Sequence, residues 1–275
     1  MNVIIFVDKN NFDGSLNLIN DGRDEDKKRF WDINKYIPFI FEKFKETYKD
    51  KFNKDELKLI KVIFYTGRYN ARIINAVKWE CKNKIWRLQR TINLERDLLR
   101  DIRKNCDLKQ MVHHNTAEHI LSIIKNLKEK QESFTKQIDR QIRNKNAQQK
   151  FFNNINSFKF PAELKTTLLK NNFDGDVFQK GVDVSLATDL VHLAHTQAYD
   201  FAIILSGDTD LVEAVKCVKE NLSRTVAVVS YYAGDSSPSN ISDLKDMVQP
   251  YFINLKDFTE AEIVKMSELM RRNSV

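Results

Sequence analysis

From Ala71 to Gln149 the chain runs for 79 residues without a proline or a glycine. A stretch of that length with neither turn-former has few options besides long helix. Its apolar residues agree. Ile74, Val77, Cys81, Ile85, Leu88, Ile92, Leu99, Ile102 and Cys106 recur at spacings of three, four and seven, which lines them along one helical face. Ile120, Ile124, Leu127, Phe134 and Ile138 form a second such series. The polar segment between them, DLKQMVHHNT, suits a helix–helix turn with Asn115 or Thr116 capping the second helix. The pattern predicts an antiparallel, coiled-coil-like helical hairpin over residues 71–150. Trp79 and Trp86 fall off the main seam, seven apart, where they either dock the base of the hairpin or meet a partner.

On either side of the hairpin the sequence switches to short apolar runs separated by amphipathic stretches. Val3–Val7, Leu59–Tyr65, Phe201–Leu205, Thr225–Ser230 and Tyr251–Leu255 read as strands, the second stopped by Thr66-Gly67. A helix is expected over Lys35–Lys49, with Ile37, Ile40, Phe41 and Phe44 on one face. Others are expected from Pro161 through Leu169, over Val184–His195, over Leu211–Asn221, and after a capping box at Thr259–Glu262. DKNNFDGS reads as a loop, and Ser236–Asn240 as a turn-rich one. Alternation of strand and helix predicts an α/β domain, residues 1–70 with 151–275, built on a parallel sheet covered on both faces. The hairpin is then an insertion in it.

Folds of that kind bind ligands beyond the carboxyl ends of their strands, and this sequence concentrates acids there. Asp8 ends the run VIIFVD. IILSGDTDL breaks at Ser206-Gly207 and presents Asp208 and Asp210. Asp183 follows Lys180-Gly181 just ahead of a helix. Carboxylates crowded in a partly dry cleft repel one another unless a cation neutralises them. An all-oxygen donor set suits Mg2+ or Mn2+, which would polarise a phosphoryl oxygen and acidify a water. Helix capping is the plainer reading for Asp210 and Asp183, and it is compatible with metal binding. His192 and His195, three apart on one helix, have the spacing of metal ligands, yet nothing completes a zinc set. Neither GxGxxG nor GxxxxGKS occurs, and Asp8-Lys9-Asn10 does not fit the DxDxT nucleophile of a phosphatase.

The order of these motifs, VIIFVD with Asn11-Phe12, then KGVDVSLATDL (Lys180–Leu190), then LSGDTDL (Leu205–Leu211), resembles the NYN domain, a branch of the PIN-like ribonucleases. The resemblance covers roughly residues 1–67 and 155–255. It implies a Rossmann-like parallel sheet and metal-dependent hydrolysis of RNA to 5′-phosphate and 3′-hydroxyl products. By the same resemblance Asp8, Asp183, Asp208 and Asp210 match the metal-binding acids, and Asn11, Asp189 and Ser206 match supporting positions. Lys180, beside Gly181, is placed to meet a substrate phosphate as a point charge. For Asp189, mid-helix, a plain surface acid is the competing reading. The chain departs from the family pattern at Leu211, where an aromatic is usual, and at Gln249-Pro250, where an acid is usual.

The net charge of +7 is unevenly placed. Residues 71–150 hold 19 Lys and Arg against 9 Asp and Glu, leaving 26 against 29 in the remainder. The basic hairpin is expected to hold RNA, with ordinary solvation of a long helix and homodimerisation through its seam as the competing readings. His113, His114 and His119 fall at its tip as exposed turn residues or RNA contacts. A non-catalytic module that binds RNA or protein through the hairpin is the alternative to a ribonuclease. Cys81, Cys106 and Cys217 suggest neither disulfides nor structural zinc. With no long apolar run and the first strand starting directly after Met1, a cytoplasmic protein without membrane association is expected.

Overall fold

The computed structural model describes all residues except 22, 25, 26, 53–55, 105–109, 173, 235–240 and 270–275. In chain order the elements begin with β1 (Asn2–Asp8), α1 (Lys9–Asn20), β2 (Arg29–Trp31), α2 (Ile33–Thr47) and β3 (Lys58–Arg68). Two long helices follow, α3 (Ala71–Lys104) and α4 (Gln110–Asn154), then β4 (Ala162–Asn171), β5 (Val177–Gln179) and α5 (Val182–His195). The chain continues through β6 (Phe201–Leu205), α6 (Val212–Lys216), β7 (Thr225–Ser230), α7 (Ser242–Val248), β8 (Phe252–Asn254), α8 (Glu260–Met266) and β9 (Ser267–Leu269). It divides into two compact units. One comprises Met1–Gly67, Phe152–Thr167 and Lys180–Val275; the other Arg68–Phe151 with Leu168–Gln179.

The apolar runs become the centre of a seven-stranded sheet, ordered β5-β4-β3-β1-β6-β7-β8. β1 runs parallel to both β3 and β6, β6 to β7 and β7 to β8, while the outermost pair β4 and β5 is antiparallel. Every residue of β6 and all but the first of β1 are buried, as expected for parallel strands covered on both faces. On one face Ile4, Phe6, Ile204 and Val228 pack with Leu186 and Leu190 of α5, Val215 of α6 and Leu244 of α7. On α1 and α2, Phe12, Leu16, Ile37, Ile40 and Phe44 are buried, and Phe44 meets Phe201 edge-on at 5.8 Å. Each such side chain contributes about 1.5–3 kcal/mol on leaving water. β2 and β9 form a separate antiparallel ribbon, which the sequence did not announce, and the capping box at Thr259 and Glu262 is present.

Two local expectations are overturned. DKNNFDGS is not a loop: it opens α1, because Asp8 caps the helix by accepting from the Asn11 N–H at 3.0 Å. Phe12 and Leu16, one turn apart, then bury the inner face of a helix whose polar composition conceals it. Residues 161–169 are not a helix: Ala162–Asn171 is strand, since ladder pairing outweighs the helix preference of Ala, Glu, Leu and Lys. The loop expected at 236–240 lies outside the described residues.

In the second unit α3 and α4 pack antiparallel. Cys81 lies by Gln137 at 3.7 Å, Gln131 donates to the Ile85 carbonyl at 3.0 Å, and Tyr69 donates through its N–H to Gln148 and through its hydroxyl to Gln141. Ile92, Leu99, Ile120 and Ile124 form the apolar seam, flanked by Ile102, Ala117 and Leu127. α4 begins at Gln110, ahead of the Asn115–Thr116 cap expected from sequence; residues 105–109 of the turn, with Cys106, lie outside the described residues. So do the side chains of His113 and His114, while His119 is exposed. The tip between β4 and β5 sits on the helices: Lys84 pairs with Asp174 at 2.6 Å and Gln137 donates to Asp176 at 2.9 Å. Gly175, at φ 79°, fits there because a side chain would meet the Cys81 sulfur. Trp79 and Trp86 are each 63% exposed.

Candidate metal centre

Parallel pairing sets the height of each strand end. Val7 is opposite Leu205, and Leu205 is opposite Val229. The next residues, Asp8, Ser206 and Ser230, therefore reach the carboxyl edge together, and all three are buried. Asp8 shares the two-residue alternation of Ile4 and Phe6, so its side chain leaves the sheet on the face covered by α5. Asp183 stands in the first turn of that helix. Asp208 comes three residues past the end of β6. One carboxylate oxygen from each of Asp8, Asp183 and Asp208 lies within 4.8 Å of the other two.

Hydrogen bonds hold two of these acids in place. Asp208 accepts from the Asp210 N–H at 3.0 Å, and its own N–H is directed at the Ser206 hydroxyl at 3.2 Å. Asn11 ties the two strand ends together, its Oδ1 accepting from the Gly207 N–H at 2.8 Å. Gly207 is small for a reason: a Cβ there would stand 2.5 Å from the Ser230 hydroxyl and 2.9 Å from Ile241. Ser230 in turn hydrogen-bonds Ser15 of α1 at 3.3 Å. The capping reading thus moves. Asp208 rather than Asp210 caps the following turn, and α5 is capped by Gly181 at φ 80°, not by Asp183.

Burial raises the Asp183 carboxyl above its ordinary range, the Asp208 charge adds to this, and Asp210 contributes further. Hydrogen bonds to a backbone N–H and to Asp8 act in the opposite direction. Like-charge crowding of this sort is relieved by a cation. Three oxygen donors without His or Cys fit a hard divalent ion, for which metal–oxygen distances of about 2.0–2.6 Å bring such ligands within reach of one another. His192 and His195 are not nearby ligands: they sit exposed in the last turn of α5, at the end away from Asp183.

The remaining candidates separate by position. Asp210 is exposed beside Asp208 and outside the group of three. Lys180 is exposed immediately before Gly181. Asp189 is half-buried and engaged elsewhere: Tyr65 donates to it at 2.7 Å and Lys165 pairs with it at 2.7 Å. Burial, then that hydrogen bond, pushes the Tyr65 phenol well up. Sequence reasoning missed Tyr65, Lys165, Ser15 and Ser230. Ser230 had a readable signal, since it ends a β-branched run as Asp8 and Ser206 end theirs.

Residues 99–256, more than half of the chain, match the NYN domain. The matched span holds Lys180, Asp183, Asp189, Ser206, Asp208 and Asp210; Asp8 and Asn11 precede it and join them through the pairing of β1 with β6. A crystallised protein of unknown function from Vibrio parahaemolyticus is similar at 13% identity and a TM-score of 0.39, over 97% of this chain and 96% of that one, a likeness too distant to bear on function. No curated protein matches the chain. Among the described residues no helix is long and apolar enough to cross a membrane. The family match covers the strand-end motifs that carry two of the three converging acids, and the chain belongs to the NYN domain family.

Proposed function

We propose that this protein is a ribonuclease that hydrolyses RNA phosphodiesters with a bound Mg2+ or Mn2+. The observation that carries the reading is the convergence of Asp8, Asp183 and Asp208 from three separate segments onto one spot beyond the strand ends. The ion supplies electrophilic activation of a phosphoryl group and a more acidic water. The chain supplies the rest. Asp8, Asp183 and Asp208 would hold the ion, and Asp210, exposed beside Asp208, would add negative charge to the site. Asn11 and Ser206 fix the backbone on which Asp208 stands, so the carboxylates need not reorganise when substrate arrives. Lys180 offers a positive charge to a phosphate, and the Gly181 turn beside it lets the backbone come close.

The test uses end-labelled RNA with the purified protein in Mn2+, in Mg2+ and in EDTA. Cleavage is expected with either ion, none in EDTA, and a loss of at least about a hundredfold in Asp8→Asn and in Asp208→Asn. Equal cleavage by both variants and the wild type would place the activity elsewhere. No cleavage of several RNAs under any ion would transfer the reading to a non-catalytic module that binds RNA or protein.

A further inference from the structure

The seam that pairs α3 with α4 leaves another face of α3 uncovered. Trp79 and Trp86 stand on it, 63% exposed, and they are two of the three tryptophans in the chain. Seven residues apart, they lie nearly one above the other, separated by about 10 Å along the axis. Arg72, Lys82 and Arg90 share the same stripe and are exposed, with Arg87 beside it. From Cys81 to Leu94 there are four cations and no acid. Lys84 is paired with Asp174; among the described residues Arg72, Lys82, Arg87 and Arg90 have no ion pair. A single exposed apolar side chain is ordinary. Two aligned indoles with cations above, between and below them are a different surface.

We infer that this stripe of α3 is a binding site for single-stranded RNA, with bases stacked on Trp79 and Trp86 and phosphates neutralised by Arg72, Lys82 and Arg90. Indole faces take any base, and the 10 Å gap leaves room for the sugar–phosphate chain to pass Lys82. In a duplex the base faces are already stacked on each other and are not available to an indole. A second copy of this chain fits the stripe poorly, because two faces whose cations far outnumber their one acid, Glu80, repel when brought together. The choice of RNA over DNA rests on the ribonuclease reading of the acidic site; the stacking does not.

The experiment uses the full chain in EDTA, so that binding is read without cleavage, and a fluorescently labelled 12-nucleotide single-stranded RNA of mixed sequence. RNA is expected to quench the protein's tryptophan emission, and the same sequence fully paired to bind more weakly. Trp79→Ala and Trp86→Ala should each raise Kd about tenfold or more by anisotropy. The double Trp→Phe variant should keep most of the affinity, because a phenyl face also stacks on bases, whereas the double Trp→Ala variant should not. Neutralising Arg72, Lys82 and Arg90 together to Gln should lower the slope of log Kd against log salt by about two. Unchanged Kd in the double Trp→Ala variant overturns the inference. So does a Trp→Ala variant that changes oligomeric state with RNA affinity intact, which would make the stripe a self-association face. In Mn2+ the double Trp→Ala variant should show a raised KM with kcat retained. A wild type that binds through the indoles but never cleaves would sink the ribonuclease reading alone; one that cleaves while the Trp variants behave as wild type would sink the stripe alone.

Discussion

Replacing Gly207 by alanine tests whether close packing under the metal centre sets its geometry. The new Cβ would stand 2.5 Å from the Ser230 hydroxyl and 2.9 Å from the Ile241 Cδ1, distances at which something must move. Overpacking of this kind costs about 1–3 kcal/mol. If the Ser230 hydroxyl rotates away it weakens its bond to Ser15, and if the backbone shifts it weakens the Gly207–Asn11 bond, about 1 kcal/mol in either case. Against these stands a gain of about 0.4–1 kcal/mol, because Ala restricts the unfolded chain and the backbone here is not left-handed. The steric side wins by about 1–3 kcal/mol. For a chain of this size that lowers Tm by roughly 2–6 °C. Denaturant unfolding and calorimetry measure the loss, and Mn2+ titration should show binding weakened about 10- to 100-fold, because the displaced segment carries Asp208. Adding Ser230→Ala removes the nearer of the two clashing atoms and should recover part of the loss, with a coupling energy above about 0.5 kcal/mol. A Gly207→Ala protein as stable as the wild type, or one whose loss simply adds to that of Ser230→Ala, would refute the packing argument.

Two further outcomes follow from the same site. Asp183 has a raised carboxyl pKa in the folded chain, so the native state binds the extra proton and metal-free stability falls as pH climbs from the ordinary aspartate range through the raised value. In EDTA, Asp183→Asn should therefore melt higher than the wild type above about pH 4, by a margin that grows and then levels off, and saturating Mn2+ at neutral pH should reverse the order. A variant melting lower than the wild type in EDTA at every pH would contradict this. Asn11→Ala removes the bond from Gly207 and should cost about 0.5–1.5 kcal/mol by urea unfolding while weakening Mn2+ binding, whereas Asn11→Asp, which keeps the acceptor, should recover most of the stability in saturating Mn2+, which offsets the added charge. Equal losses in both would mean that the bond does not hold the turn.

The parts of the fold that could be read in the sequence are those with long or strong local patterns. The hairpin repeats its apolar spacing over many turns with no breaker, and β6 is apolar at every position, so neither needs its neighbours to be recognised. α1 and β4 could not be read in that way. The first is polar by composition and is a helix because Asp8 caps it and Phe12 and Leu16 are buried; the second is made of helix formers and is strand because of sheet pairing. Among the acids, motif order singled out Asp8, Asp183, Asp208 and Asp210 as a set. It did not separate the three that meet from the exposed Asp210, nor reveal that Asp189 is held by Tyr65 and Lys165.

By itself the sequence determined that strands end in acids and that a long basic helical pair interrupts them, because both are properties of short-range periodicity. Only the tertiary structure decided which carboxylates share one spot. That depends on register between strands far apart in the chain, Val7 opposite Leu205, and on the face from which Asp8 projects. A slip of one residue would turn Asp8 to the opposite face, away from Asp183.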